Sequence, residues 1–354
     1  MGILKFGSTR EVPRLDFELM TGCDHGCGHC YNVWNASPED PQGGYEKGQL
    51  PLAEFLDMME KAVRQSGADH ITITGGEPLL KKGALRIVEK ACELVSSTQL
   101  ITNGSHIDEE AVEVFATAGL WSVQLTLLSA DPIKHNFLKG AQCFEDTVRA
   151  AVDLREGGVP VQVCFVAMRQ NWMDFQEVFE LSHLLGVKAI SYNRMSPTGG
   201  AVHQIKRLLP EVEHVEANLE TANRLGKKWN IQVGTAMPIP PCLIRLERYD
   251  WVQFGFCSTG SRSPNITIDP KGNVRSCNLS SHLLGNIVEQ DWPEIMKSIE
   301  KYQGDFKKSV PEICKGCAYE ESCQGGCKES AFATFGELTH PEPFRHLAMN
   351  PEWV

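Results

Sequence analysis

The sequence predicts an α/β protein, parallel strands alternating with helices, followed by a smaller cysteine-rich part. Three observations predict it. Strand-like apolar runs alternate with helical patterns six times between residues 14 and 226. Polar or glycine-rich motifs fall at the carboxyl ends of those runs. Nine of the 13 cysteines gather in three clusters, at 23–30, at 257 and 277, and at 314–327.

The strands are read at 14–22, 70–76, 98–104, 122–129, 160–168 and 187–195, in runs such as HITITGG and PVQVCFVAM. Val, Ile, Leu and Thr enrich them, and Gly, Ser or Asn end most of them. Helical periodicity covers 52–66, 83–96, 108–118, 145–156, 173–185 and 210–226. Such alternation implies crossover helices and a parallel sheet. An open sheet and a barrel both fit, and six units are too few for a complete eight-stranded barrel. A further run, NITIDPKGNVRSC, reads as a hairpin with a Gly-containing turn.

The motifs converge on one end of this framework. TGCDHGCGHCYNVW follows the first strand, TGGEP ends the second and TNG the third. TLLSAD ends the fourth and NRMSPTGG the sixth. In either topology that end is where ligands bind.

The chain has 354 residues, 42% of them apolar and 22% charged, enough for a core of one large and one smaller domain. A net charge of −11 with no basic stripe argues against a nucleic-acid partner. No apolar run reaches 18 residues, so no membrane helix is expected. The start, MGILKFGSTREVPRL, has no apolar export segment and lacks the Ser/Thr of a myristoylation signal. Thirteen cysteines without an export signal point to metal or redox chemistry rather than disulfides. Cys92, Cys143 and Cys164 read as small core residues.

Cys23, Cys27 and Cys30 are spaced C-x3-C-x2-C. A four-iron cubane takes four thiolates, so three leave one iron open, as a catalytic metal requires. A zinc site of three cysteines completed by His25 or His29 also fits the spacing.

The loop CDHGCGHCY, with GGEP at the next strand end, resembles radical S-adenosylmethionine (SAM) enzymes. TNG, TLLSADPIKHNFLKG and NRMSPTGGA resemble later strand ends of that family, so the likeness spans roughly the first two thirds. It implies a partial (β/α)6 TIM-like barrel over residues 1–236 and a smaller iron–sulfur domain over 237–354. It implies a [4Fe-4S] cluster on Cys23, Cys27 and Cys30, whose open iron SAM chelates. Gly75 and Gly76 would let the backbone approach SAM, Glu77 would accept from its ammonium, and Pro78 would stiffen the loop exit. Thr126 stands where relatives carry a ribose-binding Ser. Asn103 would line the pocket, Arg194 would meet the SAM carboxylate, and His135 reads as structural.

The C-terminal third resembles the family's SPASM extension, which binds auxiliary iron–sulfur clusters. Cys257 and Cys277 form C-x19-C, with Gly272 five residues before Cys277. LGNI at 284–287 and C-x2-C-x5-C-x3-C at 314–327 follow. The likeness implies one auxiliary cluster on Cys257, Cys277 and Cys327, and a second on Cys314, Cys317 and Cys323. The family's final cysteine is missing, because HPEPFRH stands in its place. His340 or His346 would then substitute, or the iron is open, or the second cluster is absent. Cys242, in PIPPCL, is a candidate fourth ligand of the first auxiliary cluster, or else a buried thiol.

The resemblance implies reductive cleavage of SAM to a 5′-deoxyadenosyl radical that takes hydrogen from a substrate. A flavodoxin- or ferredoxin-type donor would supply the electron. Peptide maturation leads, and a small-molecule oxidoreductase acting on haem precursors or carbohydrates is the runner-up. A non-catalytic zinc-binding scaffold is the reading of another class. Asn278, beside Cys277, cannot take a proton and argues against oxidation of a hydroxyl or thiol. Only 22 residues precede Cys23, so leader binding would fall to a separate partner. The expected setting is cytoplasmic and reducing.

Overall fold

The computed structural model describes residues 12–261 and 263–353. Residues 1–11, in which no export or lipidation signal was read, lie outside the described residues. Six parallel strands follow the expected runs: β1 (Arg14–Glu18), β2 (His70–Thr74), β3 (Ser97–Thr102), β4 (Ser122–Thr126), β5 (Val161–Ala167) and β6 (Ala189–Arg194). Two more extend the sheet, β7 (Gln232–Thr235) and β8 (Val252–Phe254). With four and three residues, they are too short to carry a periodic signal.

The expected hairpin forms as β9 (Asn265–Ile268) and β10 (Asn273–Arg275), and β11 (Gly285–Asn286) pairs beyond it. Its turn is closed by Asp269, whose Oδ1 accepts the Lys271 and Asn273 amides at 2.8 and 2.9 Å. β9 pairs in parallel with β1. One 11-stranded sheet therefore runs β11-β10-β9-β1-β2-β3-β4-β5-β6-β7-β8, and it does not close. The fold is a partial barrel, and the hairpin of the cysteine-rich part is built onto its first edge.

Helices α1 (Leu52–Ser66), α2 (Ala84–Leu94) and α3 (Glu109–Ala118) connect the first strands. An unexpected helix, α4 (Pro132–Lys139), precedes α5 (Phe144–Glu156). Asp131 caps it, accepting the Ile133 amide at 2.9 Å, and Pro132 opens it. α6 (Phe175–Leu184), a short α7 (Ile205–Leu208) and α8 (Val212–Trp229) complete the barrel helices. α9 (Trp292–Lys308), α10 (Glu320–Cys323), α11 (Lys328–Phe335) and α12 (Pro343–Met349) follow the hairpin. Among the described residues, no helix is long and apolar enough to cross a membrane.

Strand alternation decides what each face of the sheet does. Leu15, Phe17, Ile71, Ile73, Leu100, Val123 and Val163 are buried and join Phe55, Ile87 and Phe115 of the helices in one core. The register puts Asp16, Thr72, Gln99 and Ser122 side by side on the opposite face. Gln99 Nε2 donates to Ser122 Oγ at 3.1 Å and to Gln162 Oε1 at 2.8 Å across that face. The apolar face thus feeds the helices and the concave face is polar. Burial there pushes the Asp16 carboxyl up to about 6.

Candidate active site

The three-cysteine loop leaves β1 and is fastened to two neighbouring strand ends. The Gly76 amide donates to Met20 O at 2.8 Å and the Glu77 amide to Gly22 O at 2.9 Å. Asn32 Nδ2 returns a bond to Gly75 O at 3.2 Å. A Cβ on Gly76 would stand 2.0 Å from Gly22 O, and one on Gly75, at φ +136°, 2.7 Å from Met20 O. The two glycines therefore let the end of β2 press against the base of the cysteine loop. On the other side, the Gly26 amide donates to Lys139 O at 3.1 Å, and Cys27 Sγ lies 3.4 Å from the same carbonyl. The unexpected helix α4 thus buttresses the loop.

The three thiols lie within electrostatic reach of one another. Cys23 is exposed and Cys27 and Cys30 are half-buried. Burial raises the Cys23 thiol and pushes Cys27 up to about 11, so ligation must displace protons. The His25 amide and Asn35 Nδ2 lie 3.4 Å from the sulfurs of Cys23 and Cys30, donors suited to thiolates.

The other expected site residues divide. Thr126 ends β4 half-buried, with Cys164 and Ser191 beside it across β5 and β6 on the polar face. Pro78 opens a short helical turn, which Glu77 caps by accepting the Leu79 amide at 3.0 Å. Glu77 is tied into the strand ends, with Oε2 taking one bond and so able to accept a second. Its side chain is buried, and it also takes Thr102 Oγ1 at 2.7 Å and the Asn103 amide at 2.8 Å. It ties β2 to β3. Asn103 reaches Asp24 Oδ1 through Nδ2 at 2.9 Å, while its Oδ1 accepts the Ser105 amide at 2.8 Å. It therefore steadies the cysteine loop. Asp24, which the sequence did not single out, also meets His106 Nε2 at 2.8 Å. His135 is buried, its Nδ1 accepting the Leu128 amide at 3.3 Å.

Arg194 is not placed to meet a SAM carboxylate. Its fully buried guanidinium pairs with Glu342, donates to Pro238 O at 3.0 Å and stacks on Phe344. Charge buried this way needs a partner, and a C-terminal carboxylate supplies it. Arg275 does the same on the other flank. It pairs with buried Glu18 at the end of β1 and donates to Ser280 O at 2.8 Å.

The C-terminal thiols form two groups. Cys257, Cys277 and Cys327 lie within electrostatic reach of one another. Burial pushes Cys327 up to about 12, and Ser330 Oγ donates to its sulfur at 3.2 Å. Asn278 Nδ2 meets Tyr31 Oη at 3.4 Å and so links this group to the N-terminal loop. An acid does stand here: buried Glu329, near Cys277, with Tyr302 Oη at 2.5 Å from Oε1. The acid near Cys277 comes from elsewhere in the chain, not from its neighbour Asn278. The Glu two residues after Cys327 was the available signal.

Cys314, Cys317 and Cys323 line a small surface cleft. Cys242 lines it too, which corrects its expected place in the first auxiliary group and its reading as a buried thiol. Its segment follows β7, and the Arg194–Glu342 clamp holds that segment against the C-terminal chain. His340 and His346 lie elsewhere, ring against ring with Phe335 and Trp353. Neither lines the cleft that holds Cys314, Cys317 and Cys323. Among the described residues, no three His, Cys, Asp or Glu side chains converge as one metal ion requires. Cubane thiolates sit on separate irons and need no such convergence.

Three thiols at the carboxyl end of an open parallel barrel, with two more thiol groups on the part joined to its first edge, define an iron–sulfur barrel enzyme. Comparison with known proteins gives the family. The radical SAM superfamily profile matches residues 17–182, and that of an iron–sulfur cluster-binding domain, SPASM, matches 257–318. The chain thus carries a radical SAM domain followed by a SPASM domain. It is 26% identical over 348 residues to a PqqA peptide cyclase of Granulibacter bethesdensis, covering 95% of this chain and 88% of that one. Its fold matches Streptococcus suis SuiB bound to precursor peptide SuiA, with a TM-score of 0.75 and 16% identity over 94% of this chain and 76% of that one. It also matches anSMEcpe with bound AdoMet, with a TM-score of 0.68 and 18% identity over 94% of each chain. The cofactors of such a chain are a [4Fe-4S] cluster, SAM and auxiliary clusters. The donor set fits them, in its grouped thiols, N–H donors aimed at sulfur and absence of room for a Cβ at Gly75 and Gly76.

Proposed function

We propose that this chain is a peptide maturase of the radical SAM class. The observation that carries the reading is the three-thiol loop seated on the GGEP strand end, above a concave polar face. For the substrate class, the support is similarity to a peptide cyclase along 95% of the chain.

Cys23, Cys27 and Cys30 would hold the N-terminal cluster. When bound and reduced by an external donor, the cluster and SAM would supply a hydrogen-abstracting 5′-deoxyadenosyl radical. The chain's residues orient and shield that chemistry. Gly75, Gly76 and Pro78 shape the strand end against which the methionine moiety lies. Thr126 offers a hydroxyl to the ribose. Asn103 and Asp24 fix the loop. Cys257, Cys277 and Cys327 hold one auxiliary cluster, and Glu329 beside them is the acid available to a substrate proton. The barrel unit runs to residue 236, and the auxiliary unit, residues 237–354, adds β8 to its far edge and the hairpin to its first. A flavodoxin- or ferredoxin-type protein is the electron donor.

The test is anaerobic reduction of iron-loaded protein with SAM, with chromatography for 5′-deoxyadenosine. The wild type forms it and Cys27→Ala does not. Full product from Cys27→Ala overturns the assignment of the loop. Incubation with candidate precursor peptides then reads the substrate class as a mass change of the peptide.

A further inference from the structure

We propose that Cys242 is the fourth thiolate of the second auxiliary cluster, supplied from upstream in the chain in place of the cysteine missing after Cys327. The inference deepens the reading above and rests on the auxiliary-cluster part of it.

Four cysteines from two distant segments wall one cleft: Cys242 on one side, Cys314, Cys317 and Cys323 on the other. Cys242 stands on a built turn. Pro240 O accepts the amides of Leu243 at 3.0 Å and Ile244 at 3.3 Å, so Pro241 and Cys242 form its tip. Proline presets the dihedral that such a turn needs. Ile239 and Ile244 on either side are 2% and 1% exposed and anchor it, while Cys242 is exposed at the rim. An anchored turn that presents one thiol to three others is the arrangement of a ligand.

The buried clamp explains how two distant segments meet. Arg194 donates to Pro238 O, four residues before Cys242, and pairs with Glu342. Glu342 in turn packs on Gly326, where a Cβ would stand 2.3 Å from its Oε1. Gly326 lies three residues beyond Cys323. One ion pair thus fixes the Cys242 turn against the C-x5-C loop. The opposing loop is shaped for ligation as well. The Tyr319 amide lies 3.5 Å from Cys317 Sγ, and Arg345 lines the cleft, a cation facing four thiolates. Full thiolate ligation closes every iron of this cluster. Its role is then electron transfer rather than substrate binding.

The test uses full-length protein, reconstituted anaerobically, with Cys23, Cys27 and Cys30 replaced by Ala to silence the N-terminal cluster. Iron, sulfide and EPR spectra are read for this protein and after adding Cys242→Ala, Cys314→Ala or His346→Gln. Circular dichroism checks folding. Cys242→Ala is expected to lose about one to four irons per chain or to show a three-iron EPR signal when oxidised. Cys314→Ala is expected to lose as much or more, and His346→Gln nothing. If Cys314→Ala loses iron and Cys242→Ala keeps both iron and spectrum, this inference fails while the auxiliary cluster stands. If neither loses iron, the cleft holds no cluster and both fail. Iron loss in His346→Gln names the histidine as ligand and overturns the inference.

Discussion

The N-terminal and C-terminal thiol groups reach similar chemistry by opposite routes. Cys23, Cys27 and Cys30 lie within eight residues, and backbone bonds with two glycines fasten their loop to the barrel mouth. The C-terminal groups draw on segments up to 81 residues apart, Cys242 to Cys323, and buried charge assembles them. Arg194–Glu342 secures one group and Glu18–Arg275 secures the hairpin of the other. A contiguous site needs only a shaped loop. A dispersed one needs long-range struts, and a buried ion pair specifies its partner because an unpaired charge is so costly.

The largest effect is expected from breaking such a strut. Arg275→Met leaves Glu18 buried without its cation, which costs about 3–5 kcal/mol. Thermal unfolding should show a drop of several degrees, and iron on the Cys257 group should fall while the N-terminal loop still loads. The pH dependence follows from Glu18. Burial raises its carboxyl to about 7 in the folded chain, from an ordinary value of 4.5. With Arg275 gone, the folded state binds the proton more tightly than the unfolded one. Stability of the variant should then fall as pH rises from roughly 5 to 8. The double variant Glu18→Gln/Arg275→Met should recover part of the loss. No recovery would show that Arg275 acts through its other bonds.

The next effect tests the contiguous site. Gly76→Ala forces a Cβ into Gly22 O, and overpacking of this kind costs about 1–3 kcal/mol. Because the strain falls on the loop base, 5′-deoxyadenosine formation should be lost while iron on the C-terminal thiols stays. Loss from both ends together would mean that the two sites are not independently fastened.

This contrast also accounts for what the sequence made legible. Six long strands and the cysteine loop carry their signal locally, in periodicity and spacing. β7 and β8 are too short to do so, and α4 hid inside a stretch read as a strand-end motif. Arg194 was read as a ligand through the family likeness, and nothing near it in the chain betrays Glu342, 148 residues away. Glu77 was read as an acceptor through the same likeness, with no sign of its structural bonds. Its partners are Thr102 and Asn103, on the neighbouring strand end. Cys242 was assigned to the other thiol group because Cys314, Cys317 and Cys323, which share its cleft, lie far along the chain.

The smallest effect is expected at Asn103. Asn103→Ala removes the bonds to Asp24 and to the Ser105 amide but leaves the Glu77–Asn103 amide bond in place. Each lost bond is worth about 1 kcal/mol, and Asp24 keeps His106, so global stability should move little. Iron loading should be unchanged, since the thiols keep their own donors. What should change is the precision of the loop. A freed Asp24 lets Cys23 and His25 sample more positions, and small misplacement is costly for a positioned reaction. The rate of SAM cleavage should therefore fall several-fold at full iron content. Iron loss instead would mean that Asn103 holds the loop's fold, as the glycines do, rather than its final alignment.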